Sequence, residues 1–255
     1  MSRLIAAEFR KLLSTRMWLL ILVISVAWTV FYTALTVALS SSRAGRLGPP
    51  LSTAAGQHAL FAIAAGGAGT LVAVMAMASV AGEYRHRTAV TTFLAVPHRS
   101  RVLLAQVITF ALAGVSYTLA CVVLELAVTV PWLAARGIHV SPFGDGSFVV
   151  LLALVVAGAL FGVAGAGLGA IMRSQLAAVT ALLLYLYLLE PLLDHIRALR
   201  GWTPYLPGVA ADGLTSAVQD GVRLLSPWAG GLVFTAWAIV FAITGIIRTS
   251  RMDVT

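Results

Sequence analysis

The stretch "FVVLLALVVAGALFGVAGAGLGAIM", residues 148–172, contains no Asp, Glu, Lys or Arg. A helix rises about 1.5 Å per residue, so a run of this length crosses the roughly 30 Å hydrocarbon core of a bilayer. Helices at the surface of soluble domains keep one polar face, and this stretch has none. Gly158, Gly162, Gly165 and Gly169 recur within it at spacings of four, three and four. That spacing places them on one face, where a second helix can approach closely. The favoured neighbour is another helix of the same bundle, and the alternative is a second copy of the chain.

Outward from this run, apolar stretches recur at about 17–39, 59–81, 102–133, 175–194 and 228–247. With 148–172 they make six expected spans. The fold class is therefore an all-α membrane protein, one transmembrane domain covering residues 1–255. The third span is long enough to tilt, or to carry a turn near Pro131. Only Arg173–Gln175 separates spans four and five, which forces a tight turn. The whole chain of 255 residues agrees, being 60% hydrophobic and only 10% charged, where soluble domains carry about 25% charged residues. The first span is longer than the roughly 7–15-residue apolar core of a signal peptide, and an uncleaved anchor is expected.

The net charge of +8 could point to nucleic acid, but basic residues also flank membrane spans on the cytoplasmic side, and no soluble module remains to hold a duplex. If the N-terminus is cytoplasmic, 11 of the 17 Lys and Arg residues fall inside. Both termini are thus expected in the cytoplasm of a multi-pass plasma (inner) membrane protein. The arginine-heavy, lysine-poor usage points to a GC-rich bacterial genome. Residues 1–16 read as an interfacial amphipathic helix: Ile5, Ala6, Phe9, Leu12 and Leu13 share an arc, and Arg10 and Lys11 lie mostly off it. Residues 190–227 form an outer-face segment, too apolar for free linker, expected to make short helices broken at Pro204 and Pro207.

Several chemistries find no footing. Lys11 is the only lysine, and no G-x-x-x-x-G-K-[ST] segment holds a nucleotide's phosphates. No H-E-x-x-H occurs, the histidines are scattered, and Cys121 stands alone within an apolar run. Neither a metal site nor catalysis by this chain is expected. Glu125 is the exception to the apolar pattern, because an intramembrane carboxylate is costly and marks a functional candidate. It reads either as a contact for cargo or a proton, or as a glutamate near the outer end of its span that reaches interfacial water or Thr129.

Between spans two and three, the segment 83–101 breaks the apolar pattern with "GEYRHRTAVTTFLAVPHRSR", residues 82–101. Ala89, Val90, Phe93, Leu94 and Val96 fall on one helical arc. Thr88 can cap the start, and Pro97 stops the helix. Two turns are unstable alone in water, so the element needs a surface, either lipid or a protein partner.

"GEYRHRT" followed by "TTFLAVPHRSRVLLAQ" resembles the ABC-2 type transporter permeases, and "AAEFRKLLSTRMWLL" (residues 6–20) resembles that family's N-terminal entry helix. The resemblance implies a cytoplasmic coupling helix docking into a separate ATP-binding subunit. Glu83, Arg85 and Thr88 would anchor the loop, and Phe93 and Leu94 would form the apolar plug. Arg87, Pro97 and Arg101 would complete the coupling loop, and Phe9, Arg10 and Lys11 the N-terminal contact. Two ATP-binding subunits, holding ATP and Mg, would join this chain and a second permease chain, identical or homologous, in the bilayer. This chain would itself hold no cofactor. The family often has lysine where this chain has Gln106. The implied function is export of an apolar or amphipathic cargo (drug, peptide or lipid-like), as in multidrug or antibiotic resistance. Two other readings stay open: a membrane enzyme acting on lipid or prenyl substrates, and a toxin-binding immunity factor.

Overall fold

The computed structural model describes residues 1–40, 49–85, 99–144, 146–172, 174–216 and 224–250, with the side chains of Ala64, Tyr84, Arg85, Arg99 and Asp194 excepted. All regular structure among them is helical: α1 Ser2–Ser14, α2 Met17–Leu39, α3 Ala54–Arg85, α4 Arg99–Ala134, α5 Ser147–Ile171 and α6 Gln175–Leu184. A wide turn, Tyr185–Leu189, carries α6 into α7, Glu190–His195. A single 3₁₀ turn at Thr203–Tyr205, then α8 Pro207–Thr215 and α9 Pro227–Ser250 complete the order. Six helical stretches are long and apolar enough to cross a membrane: α2 to α5, the α6–α7 rod (Gln175–Leu193) and α9.

Local chemistry sets the helix ends. Pro131 sits inside the last turn of α4, which runs through it unbroken. Gly137, with φ of +73°, follows α4, and the Ile138 N–H bonds back to the Leu133 carbonyl. This is the left-handed closing residue that glycine accepts at least cost. Ser174 caps α6, its hydroxyl facing the Ala177 N–H at 3.5 Å. Pro207 opens α8, where a missing N–H costs nothing.

The helices differ in depth. In the most apolar stretch of α3, 65% of residues are buried, against 11% in the α6–α7 rod. The hub α3 packs against α5, α2 and α4, while the rod rests mainly on α3, with a slight contact to α5 and the Glu190 bonds to α8. Outward faces carry large apolar side chains, such as Leu20, Phe31, Val123, Val149 and Leu188. So much exposed apolar surface is unfavourable in water and is suited to lipid, as befits a multi-pass membrane protein.

The α5 glycines are used inside the bundle. A Cβ at Gly158 or Gly162 would overlap Thr118 or the Phe110 carbonyl of α4, and one at Gly165 or Gly169 would overlap Ala73 or Met77 of α3. Gly114 of α4 meets the Gly158 carbonyl in the same way. The stripe thus seats α5 against two helices at backbone contact, where dispersion replaces the missing hydrophobic drive between helices in lipid.

Candidate functional site

At one end of the bundle, α1 lies against the end of α3 and the start of α4. The Lys11 ammonium donates to Glu8 Oε1 at 2.7 Å and to Glu83 Oε1 at 3.1 Å. Gln106, 4% exposed, donates its amide to Glu83 Oε2 at 3.0 Å. Three elements, α1, α3 and α4, are thus tied by one network. Glu83 and Gln106 bracket residues 86–98, which carry the sequence-predicted Arg87, Thr88, Phe93, Leu94 and Pro97 and lie outside the described residues. The backbone of Arg85 ends α3, and Arg101 is exposed on α4.

The face that α1 turns inward differs from the arc read in the sequence. Leu12 is buried there with Glu8, Phe9 is half-buried, and Ala6 and Leu13 point outward. Glu8 takes the inward place because Lys11, one turn on, supplies its counter-charge. Burial is the largest influence on the Glu8 carboxyl and raises it above its ordinary value; the Glu83 charge adds to the rise, and Lys11 and Gln106 oppose it. Burial works against the charge on Lys11, but hydrogen bonds and attraction from Glu8 and Glu83 outweigh it, so the ammonium is held above its ordinary value. A cleft of about 590 Å³ opens beside the network, lined also by Ser14, Thr15, Ser79, Thr109 and Gln175. The sequence signal for this arrangement was the i, i+3 pair Glu8–Lys11. Gln106, set aside there as a departure from a basic pattern, is the residue that bridges to Glu83.

Glu125 is 1% exposed, and neither carboxylate oxygen has a hydrogen-bond partner. It comes near the backbone of Ala65 without meeting bonding geometry. The reading that it reaches interfacial water or Thr129 is therefore corrected: the carboxylate is sealed, and the Thr129 hydroxyl is itself unpartnered. α3 lies beside it through Ala65, and α2 lies parallel along this part of α4. The Tyr117 hydroxyl donates to the Trp18 carbonyl at 2.6 Å. Arg136 donates to the Val37 carbonyl and to the Ser40 hydroxyl, and stacks 5.9 Å over Trp132. Between these two pins runs a buried hydroxyl stripe on α2: Ser25, Thr29, Thr33 and Thr36. Their spacing of four, four and three was legible in the sequence and went unread.

A further buried carboxylate, Glu190, was not singled out. Glu190, 4% exposed, accepts the N–H groups of Gly208 (3.0 Å) and Val209 (3.1 Å). It thereby satisfies two free donors in the first turn of α8. This bond folds the outer-face segment back into the bundle, with Val209, Ala210, Ala211 and Thr215 buried.

Comparison of the chain with protein-family models, with curated proteins and with solved structures found no match.

Proposed function

We propose that this chain is the membrane subunit of an ATP-driven exporter, working with a separate ATP-binding subunit. The observation that carries the reading is the Glu8–Lys11–Glu83–Gln106 network. It joins the N-terminal helix to both helices that flank residues 86–98, so a push on that segment or on α1 reaches α3 and α4 together. The coupling sequence between them needs a partner surface, because two amphipathic turns do not hold alone.

In this reading Thr88–Val96, within the coupling loop 83–101, is the coupling helix, with Phe93 and Leu94 seated in the partner, and α1 lies at the cytoplasmic membrane surface. ATP and Mg belong to the partner, and their binding closes the ATPase pair. That closure biases the six spans between two arrangements. Two such permease chains, identical or homologous, would complete the particle. Both termini face the cytoplasm of a bacterial cell membrane, in line with the basic residues at that end.

The test is co-purification with the ATP-binding subunit encoded beside it, followed by transport in proteoliposomes. Phe93→Asp, or charge reversal at Arg85 and Arg87, is expected to leave ATP hydrolysis running while transport falls at least ten-fold. Normal transport by these variants overturns the docking assignment.

A further inference from the structure

Three helical stretches each turn one apolar face to a common space: Ala164 and Leu168 on α5, Leu182 and Leu186 on the α6–α7 rod, and Phe234 and Trp237 on α9. Spacings of three and four keep each pair on one side of its helix. The chamber they enclose is about 620 Å³, within the range of small-molecule sites, about 300–1,000 Å³. Its walls are propped by rings. Phe161 of α5 meets Phe234 of α9 edge-on at 4.8 Å, and Trp237 stacks on Phe241 at 5.4 Å.

The chamber opens sideways. Among the described residues α9 packs on α4, α5 and α8 but barely on the rod. Leu184 and Leu188 of the rod line the chamber and are also exposed, so its rim reaches the outer surface. The rod and α9 are both long and apolar enough to span the membrane, and the gap between them therefore faces lipid.

The lining decides what fills it. An empty space of this size forfeits packing contacts in proportion to its volume. Water is a poor filler, because each buried molecule needs several polar partners. Tyr185 and Trp237 carry the polar side-chain atoms of the lining. The Trp237 indole N–H is spent on the Tyr205 carbonyl, and the Tyr185 hydroxyl is engaged by Glu190. No Lys, Arg, Asp or Glu is among the lining residues, so nothing there selects a charged group. Hydrocarbon remains, and hydrocarbon is what the bilayer presents at the gap.

We propose that this chamber holds one acyl chain of a bilayer phospholipid, which enters sideways between the rod and α9 and leaves its head group at the membrane surface. The bound chain replaces the contact that the rod and α9 do not make with each other, and so braces the rod against the bundle. The site uses residues of this chain alone and does not depend on the exporter reading.

The test is photo-crosslinking of the full chain in vesicles of phosphatidylglycerol, with a trace of phosphatidylglycerol carrying a diazirine near the end of one acyl chain. Peptides bearing Leu168 and Phe234 are expected to label saturably as the probe is titrated, while the outward Val149 and Leu152 of α5, both exposed, label in simple proportion to probe. Ala181 lines the chamber and is exposed on α6, so Ala181→Phe fills the space without entering the core. It is expected to cut wall labelling about ten-fold, because a filled space offers the chain no contacts, and to leave labelling at Val149 and Leu152 unchanged. Ala164→Phe fills the chamber from the α5 side and is expected to act alike; if it fails to fold, Ala181→Phe decides alone. Wall labelling that does not saturate, or that Ala181→Phe leaves intact, overturns the proposal. So does an unlabelled wall together with a disulfide-linked dimer of Ala181→Cys in a Cys121→Ala background, which would show a second copy of the chain covering the gap.

Discussion

Glycine 208 and glutamate 190 form a pair in which each constrains the other. A Cβ at residue 208 would overlap the Glu190 carboxylate, so alanine there must expel the acceptor that ends two α8 amides. Leaving buried donors unmet costs about 1–3 kcal/mol, and Gly208→Ala is expected to lower the melting temperature in detergent accordingly. Gly201, whose Cβ would meet nothing within 4 Å, is the matched control. Glu125 behaves in the opposite sense. Its carboxylate is buried without a partner, so Glu125→Met replaces an unsatisfied group by an apolar one of similar size. That change is expected to stabilise the fold by about 1–3 kcal/mol. A costly residue with no structural return points to a functional role, and under the exporter reading proposed above the same variant is expected to lose transport while melting higher. Stability and transport rising together would remove Glu125 from the functional residues.

Among the elements, α1 carries the chain's clearest electrostatic argument. The folded-state value of the Glu8 carboxyl lies above the ordinary 4.5, chiefly through burial. A raised value means that this group supports the folded state fully below about pH 4.5 and loses that contribution as the pH climbs through the raised value. Glu8→Gln lacks this titration. The melting temperature of the variant is therefore expected to gain on that of the parent as the pH rises above 4.5, and parallel profiles would remove burial of Glu8 as the cause. In α5 the relevant force is contact rather than charge. Gly162→Ala sets a methyl group against the Phe110 carbonyl and forces α4 and α5 apart. Overpacking of this kind costs about 1–3 kcal/mol, and thermal melts of the purified protein measure it.

At the scale of the molecule, α3 is the hub and the α6–α7 rod is the outlier, so movement is easiest where burial is least. Within the rod, α6 touches mainly α3, so a shift of α6 leaves the α3–α5 seam intact, while Glu190 ties α7 to α8. Orientation is testable on the same scale, because Cys121 is the only cysteine and is buried. In a Cys121→Ala background, Ser14→Cys is expected to react with an impermeant thiol reagent only from the cytoplasmic side. Gly201→Cys is expected to react only from the outside. Labelling of both from one face contradicts the six-span arrangement.

Much of this architecture was written in the linear chain. Hydropathy alone placed six spans within a few residues of the helices found, because lipid forces every backbone group to be satisfied within a helix. The glycine spacing of α5 announced close contact by the same local logic. What periodicity could not say was which partner each face would meet. Gly158 and Gly162 went to α4 and Gly165 and Gly169 to α3, a division set by three helices meeting side by side. The bridges Lys11–Glu83, Gln106–Glu83 and Glu190–Gly208 join residues distant in sequence, and no local window contains both ends. Nor could a window foretell that Glu125 would be sealed, since its exposure depends on where the neighbouring helices lie. Helices form from forces acting within one stretch of chain, whereas chambers and charge networks arise from the packing of several, and only the tertiary structure decides that.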